Sequence, residues 1–191
     1  MDRLIIGNEG RFTRPRPDCP YPEYWSSTDD DSTEIEVTAL VAAFITALQP
    51  EFVVETGTAW GQTAEAIGVA LQDNGHGTLV TLEPDPARAG YSRERCAGLP
   101  VVVLEVSSLD YAPTHPIDFA WFDSLCPLRA LEFRRYLPHF SGRAVVGFHD
   151  TGPQHPVRGY LEELVDDGIL PPPLYLPTPR GVCFARVEGS R

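Results

Sequence analysis

The sequence has no apolar run that approaches the ~20 residues needed to span a bilayer as a helix. Its first segment, "MDRLIIGNEGRF", contains an apolar stretch that is too short for a secretory signal. From these two absences we expect a cytoplasmic protein that does not contact a membrane.

The sequence also lacks paired cysteines and an excess of basic side chains. Its four cysteines are scattered without a CxxC spacing, so neither a zinc site nor a disulfide framework is indicated, and we expect reduced thiols. Fifteen basic and 27 acidic side chains give a formal net charge of -12. Such a charge repels a phosphate backbone, and we therefore expect no nucleic-acid partner.

The length of 191 residues, 42% of them hydrophobic, suits one globular domain with a full core. Residues 1–32 are rich in proline, aromatic and acidic residues without a sustained period, which predicts an irregular arm. Residues 33–191 are predicted to form a single domain. Tyr21, Tyr24 and Trp25 are expected to pack against that domain, with the arm acting as a lid or as a homodimer contact.

A helix is predicted directly after the arm. Thr33 and Glu36 have the spacing of a capping box at a helix N-terminus, and Pro50 stops the helix. The helical period then places one apolar face on Val37, Leu40, Val41, Phe44 and Leu48.

Beyond this helix, short apolar runs alternate with helical or loop segments, the pattern of parallel strands joined by crossovers. Five parallel strands are predicted, at residues 52–56, 78–83, 101–106, 117–123 and 143–150. Two further strands, 174–178 and 181–187, have so short a connection that they must be antiparallel. The predicted fold is α/β, with a Rossmann-like, seven-stranded, mostly parallel, doubly wound sheet and a C-terminal antiparallel hairpin.

Polar side chains occur at the carboxyl end of each predicted parallel strand. In an open parallel sheet these ends meet at the crevice where the strand order reverses and where ligands bind. One polar strand end is ordinary, but the coincidence at five ends indicates a functional site. The residues concerned are Glu55, Glu83, Ser107, Ser108, Asp123, His149 and Asp150.

The loop in "VVETGTAWGQT" narrows the choice of ligand. Gly57 and Gly61 do not form a G-x-G-x-x-G fingerprint, and no Gly-Lys-Ser/Thr follows as in a P-loop. Glu55 at the mouth of the loop would repel a diphosphate, which disfavours NAD and FAD. A cationic amino-acid arm suits Glu55, and Glu83 suits a ribose diol, so the elimination favours S-adenosylmethionine.

The order of "VVETGTAWGQT", "LVTLEPD", "IDFAWFD" and "GRAVVGFHDT" resembles the class I S-adenosylmethionine-dependent methyltransferases. Within them it is most similar to the small O-methyltransferase branch that includes macrocin-type sugar methyltransferases and cephalosporin-hydroxylase-like proteins. The resemblance implies a small hydroxylated acceptor. It also implies that Glu83 holds the ribose, that Ser107 or Ser108 lies near the adenine, and that the methionine end meets Glu55, Gly57, Ala59 and Gly61, with Trp60 and Thr63 in the same cofactor loop.

For catalysis the resemblance points to Asp123, His149 and Asp150, which match the positions that hold a divalent metal in metal-dependent relatives. A histidine in this set favours manganese, iron or zinc over magnesium. Relatives often carry a general base in D-x-x-H, but this chain has Cys126 there. His149 could be the base instead, although one imidazole cannot be both ligand and base.

Two alternatives remain open at the level of sequence. The altered metal set and the missing D-x-x-H histidine are compatible with a catalytically inactive cofactor-binding protein that has a regulatory or assembly role. An NAD-dependent oxidoreductase would need a Tyr-x-x-x-Lys pair or its equivalent, which the chain lacks.

The other histidines lie in predicted turns and loops, where surface histidines are ordinary. They are His76, His115, His139 and His155.

Overall fold

A computed structural model describes residues 10–11, 19–21, 24–28 and 32–188 of the chain. The strands are β1 Gly10–Arg11, β2 Ser26–Ser27, β3 Phe52–Thr56, β4 Thr78–Leu82, β5 Val101–Leu104, β6 Ile117–Phe122, β7 Phe140–His149, β8 Leu174–Leu176 and β9 Val182–Arg186. The helices are α1 Ile35–Leu48, α2 Gln62–Asn74, α3 Pro86–Arg95, α4 Arg129–Tyr136 and α5 Val157–Asp166, with a 3-10 turn at Leu137–His139.

Seven strands form one sheet in the order β5-β4-β3-β6-β7-β9-β8. Strands β3 to β7 are parallel, whereas β9 pairs antiparallel with both β7 and β8. The chain builds outwards from β3 to β5 and then returns to the other side of β3, so the strand order reverses between β3 and β6. The predicted mostly parallel sheet with a C-terminal hairpin is confirmed.

The core lies in two layers, one on each face of the sheet. Neighbouring residues of β3 alternate between them, because Val53 belongs to the layer beneath α1 and α2 and Val54 to the layer beneath α4 and α5. Trp121 of β6 is fully buried in the first layer. Both faces of the central strands are therefore enclosed, and only the strand ends are left to bind a ligand.

The start of α1 differs from the prediction, and the capping box is wrong. The N-cap residue is Glu34, without a side-chain capping bond. Thr33 Oγ1 instead donates to Asp123 Oδ2 at 2.5 Å, and Glu36 accepts the backbone N–H of Ser26 at 2.9 Å. These tertiary bonds take the two side chains away from the local capping role. Leu48, placed on the apolar face by the sequence pattern, is 38% exposed.

The described parts of the arm contain a short antiparallel pair between β1 and β2. Trp25 packs against the core as predicted, but Tyr21 and Tyr24 are 69% and 72% exposed, so the expectation that they pack on the domain is wrong. Much of the arm, at 1–9, 12–18, 22–23 and 29–31, lies outside the described residues. A domain boundary after Ser32 and the role of lid or dimer contact stay predictions. No helix within the described ranges has the length and apolar character to span a membrane.

Candidate active site

The loop between β3 and α2 has glycines where its backbone requires them. Gly57 has a φ of +82° and Gly61 a φ of +76°, in the left-handed region that favours glycine. A Cβ atom on Gly57 would also lie 2.4 Å from the backbone oxygen of Asp123. The loop can therefore lie directly against the end of β6 only because Gly57 has no side chain.

A cavity of about 420 Å³ opens beside this loop, at the carboxyl ends of the parallel strands. A smaller cavity of about 30 Å³ lies at the start of α2 and shares Gly57, Ala59 and Asp123 with the larger one. The predicted cofactor residues that line the larger cavity are Gly57, Ala59, Glu83, Ser107 and Ser108, and those that line the smaller are Gly57, Ala59, Trp60 and Thr63. The structure thus brings together most of the residues that the sequence assigned to the cofactor.

Glu83 both faces the larger cavity and holds the glycine loop in place. Its Oε2 accepts the backbone N–H of Ala59 at 2.9 Å, and its Oε1 accepts that of Asp85 at 3.0 Å. Each oxygen keeps a second lone pair, so the carboxylate can also accept a hydrogen bond from a ligand.

The two serines at the end of β5 are held differently. The hydroxyl of Ser108 donates to Glu132, and its carbonyl accepts the hydroxyl of Tyr136 at 2.6 Å. Ser107 accepts the backbone N–H of Leu109 at 3.3 Å. Ser108 is therefore fixed by buried partners, while Ser107 is engaged only within its own turn.

Glu55 lies beneath the loop and Gly61 at its end, and neither lines either cavity. The contact with the methionine end that the resemblance implied for them stays a prediction. Glu55 is 1% exposed and accepts the hydroxyl of Thr81 at 2.5 Å. Burial raises its pKa to about 8, and the nearby Asp123 and Glu83 add to the rise. The carboxyl is therefore mostly protonated near neutral pH, and the loop carries less negative charge than the sequence indicates.

His149, expected in the cleft as a ligand or base, is completely buried and does not line the cavity. Its Nδ1 lies 3.0 Å from Asp123 Oδ1, and its Nε2 lies 2.7 Å from Glu34 Oε2. Burial alone would lower the pKa of His149, but the carboxylates of Asp123, Asp150 and Glu34 raise it to about 10. The ring is an imidazolium that links three acids.

Two arginines complete this buried network. Arg129 Nη2 donates to Asp123 Oδ1 at 3.0 Å and to Asp150 Oδ2 at 2.8 Å. Arg180 donates to both oxygens of Asp150, through Nε at 2.6 Å and Nη2 at 3.0 Å. Burial would raise the pKa values of Asp123 and Asp150, but His149 and Arg129 hold both below the usual range. Both acids stay ionised.

Three members of the network, Glu34, Arg129 and Arg180, are not among the residues that the sequence singled out. Glu34 stands inside "TEIE", a pattern that predicts a helix cap formed by Thr33 and Glu36. The two arginines occupy no recognised motif. A buried acid can be found from sequence only if its partner is known. Here the backbone N–H of Arg180 donates to Glu34 Oε1 from 146 positions away.

One ligand atom each of Asp123, His149 and Asp150 lies within 4.8 Å of the others, as the predicted metal site requires, but the chemistry of the set does not fit a divalent ion. The oxygens of Asp123 and Asp150 already accept bonds from Thr33 or from arginines, and the protonated ring of His149 has no lone pair to offer. The guanidinium groups of Arg129 and Arg180 supply the positive charge that an ion would bring to these two acids.

A second cluster lies at the outer end of the network. One donor atom each of Cys126, Asp150 and His155 lies within 4.8 Å of the others, and His155 Nε2 is 3.5 Å from Asp150 Oδ1. Cys126 and Asp150 line the larger cavity. Burial raises the pKa of Cys126, so this residue is a neutral thiol at the position where relatives carry a histidine.

Solved structures with the same fold include methyltransferases. The O-methyltransferase TomG from Streptomyces achromogenes, involved in tomaymycin synthesis and in complex with S-adenosylmethionine, is 23% identical, with a TM-score of 0.70 over 84% of this chain and 83% of that chain. The methyltransferase PaMTH1 from Podospora anserina, bound to S-adenosylhomocysteine, is 18% identical, with a TM-score of 0.72 over 83% and 81%. The fold is that of a class I methyltransferase, as the sequence resemblance predicted.

Residues 54–151, about half of the chain, match the family model described as "Methyltransferase domain". The chain belongs to this family, and the prediction of a methyltransferase is confirmed. No curated protein matches the chain.

Proposed function

We propose that the protein transfers a methyl group from S-adenosylmethionine to a hydroxyl group of a small molecule. The observation that carries the proposal is the single cavity lined by Glu83 and the glycine loop at one side and by Asp123 and Asp150 at the other. Its volume of about 420 Å³ lies within the range of small-molecule binding sites. That TomG is an O-methyltransferase supports oxygen as the acceptor atom.

The two cavities suit the two ends of the cofactor. Glu83 would accept the ribose hydroxyls, with Ser107 and Ser108 on the same wall for the adenine. The smaller cavity lies at the N-terminus of α2, beside Gln62 and Thr63, where free backbone N–H groups favour a carboxylate. It would hold the carboxylate of the methionyl end.

When bound, S-adenosylmethionine supplies a methyl group that is activated by its positively charged sulfur. The protein has to align the acceptor oxygen with that methyl group and to take up the hydroxyl proton. Asp123 and Asp150 hold the far wall of the cavity in a fixed position through their arginine and histidine partners. These partners keep both acids ionised and their pKa values low, so Asp123 and Asp150 are weak bases.

Calorimetry and a turnover assay test the proposal. We expect S-adenosylhomocysteine to bind with a Kd in roughly the micromolar range and NADH not to bind. We also expect S-adenosylhomocysteine to accumulate from S-adenosylmethionine with at least one member of a panel of phenols, sugars and other hydroxylated acceptors. Binding of NADH without binding of S-adenosylhomocysteine would favour the oxidoreductase reading and contradict the proposal.

A different outcome would favour the second function predicted from the sequence. Its supporting observation is that His149 is buried and protonated, so it cannot serve as a base. Tight binding of S-adenosylhomocysteine with no turnover on any acceptor would indicate a cofactor-binding protein with a regulatory or assembly role. The cytoplasmic location and the homodimer stay predictions.

A further inference from the structure

We propose that His155 is the general base that receives the proton of the acceptor hydroxyl during methyl transfer. This inference rests on the function proposed above and names the residue that completes it. His155 lies in the segment between β7 and α5, and the sequence alone gave it the character of an ordinary surface histidine.

The position of His155 places its ring directly behind the wall of the larger cavity. Its donor nitrogen lies within 4.8 Å of donor atoms of both Cys126 and Asp150, which line that cavity. The side chain is 27% exposed, so water reaches it. His155 does not itself line the cavity, so the proposed proton transfer runs through one water molecule, an arrangement in which general bases act.

The other groups near this wall are unsuited to the role, within the part of the chain that the structure describes. His149 carries a proton on an enclosed ring whose two nitrogens face carboxylates. Asp123 and Asp150 are engaged by cationic donors that keep their pKa values low. Burial raises the pKa of Cys126, so its thiol stays neutral.

The groups that face His155 keep it neutral while preparing it to accept a proton. Burial is the largest cause that lowers its pKa from 6.5, and the cations of Arg180, His149 and Arg129 lower it further. The carboxylate of Asp150 opposes them and would stabilise the ring once it is protonated. Near neutral pH the ring is therefore an imidazole with a lone pair.

The step moves one methyl group and one proton. The bond between the acceptor oxygen and the methyl carbon forms as the bond between sulfur and that carbon breaks, and the electron pair of the broken bond stays on sulfur. The hydroxyl proton passes through the water to Nε2 of His155, the ring nitrogen placed 3.5 Å from Asp150 Oδ1 at the cavity wall. The imidazolium formed lies beside the Asp150 carboxylate and afterwards returns its proton to solvent through its exposed side.

The experiment compares His155→Ala and His155→Gln with the matched control His115→Ala. His115 is an exposed histidine before β6, at the opposite end of the sheet. We expect both His155 variants to lose at least about 100-fold in kcat, while their affinity for S-adenosylhomocysteine stays at the wild-type value. The control should keep the wild-type kcat. Added imidazole should restore part of the activity of His155→Ala.

Two further readouts separate a base from a structural role. In the wild type we expect kcat to fall on the acid side, at or below the ordinary histidine value of 6.5, and we expect this limb to disappear in His155→Gln. The inference is overturned if both variants keep kcat within about threefold of the wild type. It is also overturned if activity is lost without imidazole rescue and with the acid limb unchanged. A wild-type protein that methylates no acceptor contradicts the proposed function itself.

Discussion

At His149, three carboxylates outweigh the effect of burial and keep the ring protonated. Three acids, Glu34, Asp123 and Asp150, face three cations, His149, Arg129 and Arg180, so the buried charges balance. Removing one member leaves an uncompensated buried charge. The free-energy cost of that charge is larger than the net stabilisation that the intact network provides.

We therefore expect His149→Gln to lower the free energy of unfolding by about 3 kcal/mol near neutral pH. The folded-state pKa of about 10 lies above the ordinary value of 6.5. The stabilisation from protonated His149 is thus fully present below pH 6.5 and is lost as the pH rises through about 10. Urea unfolding of both proteins from about pH 6 to about pH 10 should show the difference shrinking toward high pH.

The raised pKa of Glu55 also makes the protein less stable as the pH rises, between 4.5 and about 8. This effect of Glu55 is present in both proteins, so it cancels in the difference between their free energies of unfolding. The difference therefore reports on His149 alone. An exposed histidine replaced in the same way, His115→Gln, should leave the curve unchanged. A difference that is independent of pH would show that His149 is neutral in the folded protein.

Metal chelation is a second test at the scale of residues. Because arginines and Thr33 occupy the oxygens of Asp123 and Asp150, we expect EDTA to leave turnover unchanged. Added magnesium, manganese or zinc should raise turnover by no more than about twofold. Loss of activity in EDTA that one of these ions restores would contradict the structure of the network.

At the scale of elements, the glycine loop between β3 and α2 can be tested by comparing two glycine substitutions. Gly57→Ala combines a φ of +82° with a Cβ that would lie 2.4 Å from Asp123 O, so the loop must shift. We expect affinity for S-adenosylhomocysteine to fall at least about tenfold, as measured by calorimetry. Gly75→Ala is the control, since its φ is +77° but no atom lies within 4 Å. It should cost about 1 kcal/mol of stability and leave binding intact.

The strands and the cavity wall could be predicted because their signals are local. Apolar runs fix the strands, and polar residues at their ends then share one edge of the sheet. Predicted and observed bounds agree fully for β3 and within three residues for the other strands of the seven-stranded sheet. Glu55 shows the limit of this reasoning, since a strand-end carboxyl can turn inwards to Thr81.

The start of α1 shows why the remainder was missed. Thr33 and Glu36 have the right spacing for a capping box, yet each bonds to a residue outside the helix. A pattern reports the bonds that neighbours can make, and tertiary partners can offer better ones. The same applies to His149, whose motif predicted a ligand while its surroundings make it a buried cation.

For the whole molecule, the buried network joins segments that are far apart in the chain. The side chain of His149 bonds to Glu34, which is 115 positions earlier in the chain. The backbone N–H of Arg180 also donates to Glu34, which is 146 positions earlier. No local signal predicts contacts of such separation. They connect the start of α1 to the turn before β9, at the two ends of the domain.

Contacts that close such long loops are unfavourable until most of the chain is in place, so they should form after the folding transition state. We expect Glu34→Gln to unfold about tenfold faster, with a refolding rate within about threefold of the wild type, by stopped-flow fluorescence. The same substitution at the exposed Glu162, which pairs with Arg158 on α5, should change neither rate. Slowed refolding with unchanged unfolding would place the network in the folding nucleus. These buried charges therefore set how long the native state lasts, through the unfolding rate, and not how quickly it is reached.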